Sequence, residues 1–202
     1  MQRQGIKFQT SSDTEVLLKL YEMKGVGAIQ EMDGMFAFAV WNKSSRRLCL
    51  VRDRIGIKPL YYYWDGHFFA FASELKAILQ LPNVKRIVNK QAVWDYLSFR
   101  YVPGPETAWK NIYKLQPGHF LELSQNNSGM RLQKYWQQPL PKPESYEKLV
   151  REDINDQFEA LFMDSVKQRL EAADTPVGVL LSGGLDSSAI TAAAVELGHE
   201  NF

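Results

Sequence analysis

The chain has 202 residues, more than one domain and less than two at about 150 residues each, with 45% hydrophobic and 23% charged residues. That balance excludes a disordered, collagenous or low-complexity chain. With 24 Lys and Arg against 23 Asp and Glu the net charge is +1, so nothing electrostatic points to duplex nucleic acid or an anionic membrane as the main partner.

The first residues, MQRQGIKFQT, lack the apolar centre of a signal peptide, and no apolar run approaches the length of about 18 residues that spans a bilayer. A cytoplasmic protein is expected. Ile6 to Phe8 alternate like a short strand, entered with no turn or cap before it, as in the middle of a domain. Ser12 and Glu15 then stand at capping-box spacing. Val16, Leu17, Leu20, Tyr21 and Met23 recur at helical intervals, and Gly25 is placed to stop that helix.

From Asp33 the period changes to two. Residues 35–41 and 48–52 read as a hairpin across a polar turn at 42–46. Leu60 to Trp64 and Phe68 to Ala72 follow the turn-rich segment 53–59, with Asp65-Gly66 a two-residue hairpin signal. One antiparallel sheet of about four strands is expected over 33–73. A short capped helix at 73–79 and a second helix from about Lys90 to Phe99 come next, then a break at Pro103-Gly104-Pro105. Residues 112–123 suggest one more hairpin, closing near Tyr135-Trp136. Cys49, the single cysteine, is read as a small core residue, which suits a reducing compartment. The three histidines are scattered, and no Cys/His spacing fits zinc. The aromatic residues, 12% of the chain, alternate within strands without a basic stripe, so core packing explains them better than stacking on single-stranded nucleic acid.

Pro139, Pro141 and Pro143 fall within five positions, and such a stretch is stiff and poor in hydrogen-bond donors. It predicts a linker over 139–150. An amphipathic helix follows over 154–170, with Ile154, Phe158, Leu161, Phe162, Val166 and Leu170 in one stripe. The apolar run Val177-Gly178-Val179-Leu180-Leu181 predicts a buried strand, and an alanine-rich helix to about Leu197 comes after the loop Ser182-Gly183-Gly184-Leu185-Asp186-Ser187-Ser188. Helix, buried strand, glycine-rich loop and helix open a parallel α/β sheet. Two glycines let backbone amides approach a bulky anion, and the next helix adds its free N–H groups and positive dipole end. That combination predicts a phosphate cradle. Ser182, Ser187 and Ser188 can donate to phosphate oxygens, and Asp186 can meet the magnesium ion of a triphosphate. The Gly-Lys-Ser/Thr ending of kinase and GTPase loops is absent.

Residues 177–188 resemble the PP-loop of the ATP pyrophosphatases. The runs 33–41, 52–62 and 72–77 resemble the glutaminase half of glutamine-hydrolysing asparagine synthetases, and 101–105 and 114–119 resemble the linking region of the bacterial type. The resemblance implies part of an N-terminal-nucleophile αββα glutaminase sandwich with its linking region over 1–138. The beginning of an α/β synthetase domain is implied over 151–202. It implies a ligase that transfers glutamine-derived ammonia to aspartate through β-aspartyl-AMP, giving asparagine, glutamate, AMP and pyrophosphate. Glutamine, aspartate and ATP with Mg2+ are the implied substrates, with no tightly bound cofactor, no nucleic acid or membrane partner, and a homodimeric parent.

Residue by residue, the resemblance makes Asp13 a ligand for the α-amino group of glutamine. Leu181 lies beside the nucleotide, and Ser182, Gly183, Gly184, Asp186, Ser187 and Ser188 form the pyrophosphate site, with Asp186 toward the metal. The family's nucleophile is an N-terminal cysteine, whereas this chain begins Met1-Gln2, so no catalytic residue is assigned. An internal piece of a synthetase, itself inactive, is the leading expectation. The alternatives are a β-lactam-synthetase or peptide-cyclase type of amide ligase, and a non-catalytic remnant that acts as a dimerisation partner.

Overall fold

The computed structural model describes residues 7–124, 129–140 and 151–199. Ile6, Pro141 and Pro143 lie outside the described residues. The chain divides into two compact units, residues 1–138 and 139–202. No helix among the described residues is long and apolar enough to cross a membrane.

In the first unit, Lys7 and Phe8 are irregular rather than a strand, because no strand among the described residues pairs with them. Helix α1 spans Asp13–Lys24, and Ser12 caps it by accepting the Thr14 N–H on its Oγ at 3.2 Å. Gly25, at φ +57°, ends it with its N–H on the Tyr21 carbonyl. A 3-10 turn over Gly25–Glu31 then buries Ala28 and Ile29 completely.

Among the described residues, seven strands form two antiparallel sheets. The first orders β1 (Ala37–Asn42), β2 (Arg47–Arg52), β6 (His119–Ser124) and β7 (Met130–Lys134) as β1-β2-β6-β7. In it, Leu50 pairs with both Ala39 and Leu121. The second orders β4 (Phe69–Ala72), β3 (Tyr61–Trp64) and β5 (Ile112–Lys114) as β4-β3-β5. The single sheet expected over 33–73 is therefore two. The pairs β1-β2 and β3-β4 do form, but segment 53–60 carries the chain from one sheet to the other. For the same reason β5 and β6 are not a hairpin: β5 pairs with β3, while β6 pairs with β2 and β7.

The loop between β3 and β4 has four residues, since Trp64 pairs with Phe69. Asp65 shapes it by accepting the N–H groups of His67 and Phe68 on Oδ1, at 2.9 and 2.8 Å. A side chain that bonds its own turn lengthens the loop beyond the two residues that Asp-Gly favours.

Three apolar layers hold this unit together. Leu50, Tyr62, Leu115 and Leu121 fill the space between the sheets, with Phe69 and Met130 against them. Ile29, Cys49, Val51 and Phe120 pack the outer face of the first sheet under Tyr21 of α1. Tyr63, Ile78 and Ile112 pack the outer face of the second, under the short helix α2 (Leu75–Ile78). Helix, sheet, sheet, helix is the αββα layering. No side chain caps α2, contrary to expectation: Glu74 stands at its N-cap and pairs with Lys76 instead. Helix α3 (Lys90–Phe99) starts on the Asn89 side chain and stops at Arg100, which adopts the left-handed conformation at φ 62°.

In the second unit, α4 (Arg151–Glu171) packs on α5 (Leu185–Glu196) through Phe162, Met163, Val166 and Leu170 against Ala193 and Ala194. At about 1.5 Å per residue, the 12 residues of α5 cannot cover the 21 of α4. Ile154, Phe158 and Leu161, expected on the buried stripe, are accordingly exposed. The expected buried strand at 177–181 is likewise irregular, with Leu180 96% exposed. A strand of a parallel sheet is held by neighbours on its edges, and none among the described residues pairs with this segment.

Candidate functional site

Asp13 is the first helical residue of α1 and is exposed. Its Oδ1 accepts from the Thr14 hydroxyl at 3.3 Å. The turn that carries it is tied down by Glu15, whose carboxylate accepts the N–H groups of Gln9 (2.9 Å) and Thr10 (2.7 Å) and the Thr10 hydroxyl (2.6 Å). The Thr10 hydroxyl, then the Gln9 N–H, hold the Glu15 carboxyl below its ordinary range. In a capping box Glu15 would reach the N–H of Ser12. Here that N–H goes to Thr10 Oγ1 at 3.3 Å, and Glu15 grips the chain further back. A carboxylate at a helix N-terminus, on a braced turn and open to solvent, can receive an ammonium group.

The second cluster surrounds the start of α5. Gly184 is its N-cap and supplies no side-chain bond, so the N–H groups of Leu185, Asp186 and Ser187 have no intrahelical acceptor. Gly183 adopts φ +78° with open space where a Cβ would point. Ser182 Oγ and Ser187 Oγ lie 3.1 Å apart across the loop, and Ser187 Oγ also donates to the Gly184 carbonyl at 3.1 Å. Asp186 sits in the first turn. Leu181 is 61% exposed. The loop thus brings Ser182, Gly183, Gly184, Asp186 and Ser187 to one helix end, with Ser188 starting the ladder through its N–H to the Gly184 carbonyl. Asp13 belongs to the other unit. Among the described residues no group of three His, Cys, Asp or Glu could hold a metal, so Asp186 would meet Mg2+ only as one ligand of an ion held chiefly by phosphates and water.

Sequence reasoning missed the polar centre of the sheet crossover. Asp53 is 1% exposed, and its two carboxylate oxygens accept the N–H groups of Ile57 and Lys58, each at 2.9 Å. The Arg52 guanidinium reaches three carbonyls: Lys58 from Nε at 2.8 Å, Leu115 from Nη1 at 2.7 Å and Gly56 from Nη2 at 2.8 Å. Two adjacent charges at the end of an apolar strand, followed by Gly56 and Pro59, were the available signal.

A family model described as a glutamine amidotransferase domain matches residues 1–136, about two thirds of the chain. The chain belongs to the glutamine amidotransferase family. Residues 157–202 also match an asparagine synthase family model. A provisionally named glutamine-hydrolysing asparagine synthetase 2 of Methanocaldococcus jannaschii is 40% identical over 187 residues, which is 92% of this chain and 35% of that protein. Glutamine-hydrolysing asparagine synthetase 2 of Bacillus subtilis is 39% identical over 196 residues, 94% of this chain and 26% of that protein. The chain spans about a third or less of the length of these relatives. A B. subtilis glutamine phosphoribosylpyrophosphate amidotransferase structure aligns over 68% of this chain and 25% of its own, at 22% identity and a TM-score of 0.44.

The single cysteine of the chain, Cys49, is 3% exposed within β2. Burial pushes the Cys49 thiol up to about 11, opposed by a hydrogen bond with Tyr21. Mid-strand, Cys49 has no free α-amine to act as its base, and its thiol is neutral at physiological pH. It is a core residue.

Proposed function

We propose that this chain forms part of a glutamine-dependent asparagine synthetase. Its residues 1–138 belong to the glutaminase side and 151–202 to the start of the ATP-dependent side. The observation that carries the reading is that both family matches occur in one chain, in that order. In this reading the Asp13 carboxylate receives the α-ammonium of glutamine by a charge-assisted hydrogen bond. The uncapped N–H groups at the start of α5, with Ser182, Ser187 and Ser188, hold the phosphates released as pyrophosphate. Gly183 and Gly184 keep the approach open, Leu181 lines the nucleotide and Asp186 meets Mg2+. ATP with Mg2+ supplies the activation of the acceptor, by adenylylating the aspartate side-chain carboxylate so that ammonia can displace AMP. Nucleic acid and membrane have no part, and the setting is cytoplasmic. This chain by itself has negligible glutaminase activity, because Cys49 cannot serve as the nucleophile.

The test is a chimera in which this chain replaces the aligned segment of the B. subtilis synthetase 2. The recipient keeps its own residues on either side. We expect asparagine formation from glutamine, aspartate and ATP. In that chimera Asp13→Asn should raise the KM for glutamine while leaving ammonia-dependent synthesis intact, and Ser182→Ala with Gly183→Ala should depress both. A soluble chimera that makes no asparagine from ammonia, aspartate and ATP would overturn the proposal.

A further inference from the structure

The first unit carries a groove of about 740 Å3 that the reading above does not use. Arg52, Arg54, Lys114, His119, Lys134 and Trp136 are among the residues that line it, and none of its lining residues is Asp or Glu. The whole chain is nearly neutral, at 24 cationic against 23 anionic side chains, so four Lys and Arg around one hollow are a local concentration. A concave wall of one sign focuses potential and raises the local concentration of counter-ions. The volume falls within the range of about 300 to 1,000 Å3 usual for small-molecule sites.

The nearby carboxylates do not cancel this charge. Asp53, buried beneath the wall with both oxygens on backbone N–H groups, offsets the adjacent Arg52 cation and leaves Arg54, Lys114 and Lys134 in excess. Asp33 meets Arg54 at 3.6 Å, but Asp33 is 75% exposed, and such surface pairs are weak. The other three cations are held by neutral oxygens. Lys114 Nζ donates to the Val102 carbonyl at 2.7 Å, Lys134 Nζ to Gln137 Oε1 at 3.4 Å, and Arg52 to its three carbonyls. Carbonyls position an ammonium or guanidinium without neutralising it. His119 Nδ1 lies 2.7 Å from the Pro117 carbonyl, which can only accept, so Nδ1 carries the proton and Nε2 remains as the second nitrogen. Burial, then the nearby Arg52 cation, holds the Lys114 ammonium below its ordinary range, as expected of a cation crowded by another. The wall is also preorganised. Besides those anchors, the Lys114 N–H bonds the Pro105 carbonyl at 2.8 Å, the Gly118 N–H the Asp53 carbonyl at 2.9 Å, and the Tyr135 hydroxyl the Arg52 carbonyl at 2.8 Å.

We infer that this groove is a binding site for a small multivalent oxyanion, a phosphorylated or polycarboxylate metabolite, with the half-buried Arg54 and the exposed Lys134 as clamps and the Trp136 ring as a flat apolar side. Phosphates and carboxylates share this chemistry, so the test uses both. The 15N-labelled full chain is titrated at constant ionic strength with inorganic phosphate and, separately, with citrate. Saturable shifts are expected at the Trp136 indole N–H and the Lys114 and His119 amides, with one Kd for all three. Arg54→Ala with Lys134→Ala should weaken that Kd at least tenfold. Lys167→Ala, which removes the same charge from the other unit, should leave it unchanged. Saturation by one probe alone supports the site and assigns it to that anion class. Shifts confined to the Gly183 and Gly184 amides belong to the α5 loop and would overturn the groove while sparing the proposed function. Linear, unsaturated shifts with both probes, or an unchanged Kd in the double variant, also refute the inference.

Discussion

Replacing Arg52 by lysine keeps the charge and removes the fork, which separates geometry from electrostatics at the sheet crossover. The guanidinium serves three carbonyls on two separate stretches of chain, those of Gly56 and Lys58 in the turn and of Leu115 beyond it, at 2.7 to 2.8 Å. A lysine ammonium is a point donor on a flexible stem and can keep about one of these contacts. Hydrogen bonds from a charged donor are worth about 1.5 to 3 kcal/mol each, so losing two represents about 3 to 6 kcal/mol. The side chain is half-buried and water recovers part of that loss, which brings the expected cost of Arg52→Lys to about 2 to 3 kcal/mol. With a urea dependence of about 2 kcal/mol per molar, the unfolding midpoint should fall by about 1 to 1.5 M. Equilibrium urea unfolding followed by near-ultraviolet circular dichroism of the packed aromatic residues measures it. A variant within about 0.5 kcal/mol of the parent would mean that positive charge alone suffices, and the fork argument would fail.

Gly118→Ala should destabilise by about 2 to 4 kcal/mol, because Gly118 holds φ +65° and an added Cβ would sit 2.7 Å from the Trp136 carbonyl oxygen. Gly129→Ala, with nothing within 4 Å of the new atom, should change the urea midpoint little. Thr107 is 2% exposed; its hydroxyl donates to the Ile112 carbonyl at 2.8 Å and accepts the Trp109 N–H at 3.2 Å. Thr107→Val should cost about 2 kcal/mol and Thr107→Ser much less, in matched urea titrations. Burial raises the folded Cys49 thiol from an ordinary 9.0 to about 11, so its contribution to stability is fully present below pH 9 and is lost as pH rises toward 11. Cys49→Ala should make the decline of stability over that window shallower. In the native parent, iodoacetamide at pH 8 should label Cys49 far more slowly than in urea, and equal rates would contradict the buried thiol.

Local signals in the sequence were legible where one segment decides its own structure. Ser12 and Gly25 bound their helix as their types suggest, and the alternation in 35–41 and 48–52 does mark a paired hairpin. What could not be read locally was which hairpin joins which sheet. Both faces of β2 and β3 are apolar, so alternation alone cannot distinguish one four-stranded sheet from two stacked ones. The answer lies in Asp53 and Arg52, whose partners are backbone groups that no spacing rule advertises. The run 177–181 failed for the opposite reason. Its composition suits a buried strand, but strand structure belongs to a pair of segments, and this one has no partner among the described residues. Of the candidate site, the gathering of Ser182 to Ser187 at a helix end was readable from the glycines and the helix after them. The basic groove was not, because its walls come from residues 52–55, 104–119 and 134–138, far apart in sequence.

The hydrogen bond from the Tyr135 hydroxyl to the Arg52 carbonyl joins residues 83 positions apart, and it has a temporal meaning. Hairpins β1-β2 and β3-β4 close short loops and can form as soon as they are synthesised, whereas closing the longer loop costs more entropy and waits on distant chain. On the ribosome, then, this bond cannot close until Tyr135 has left the exit tunnel. Before that moment the local bonds of Arg52 and Asp53 to residues 56–58 are already within reach at the crossover.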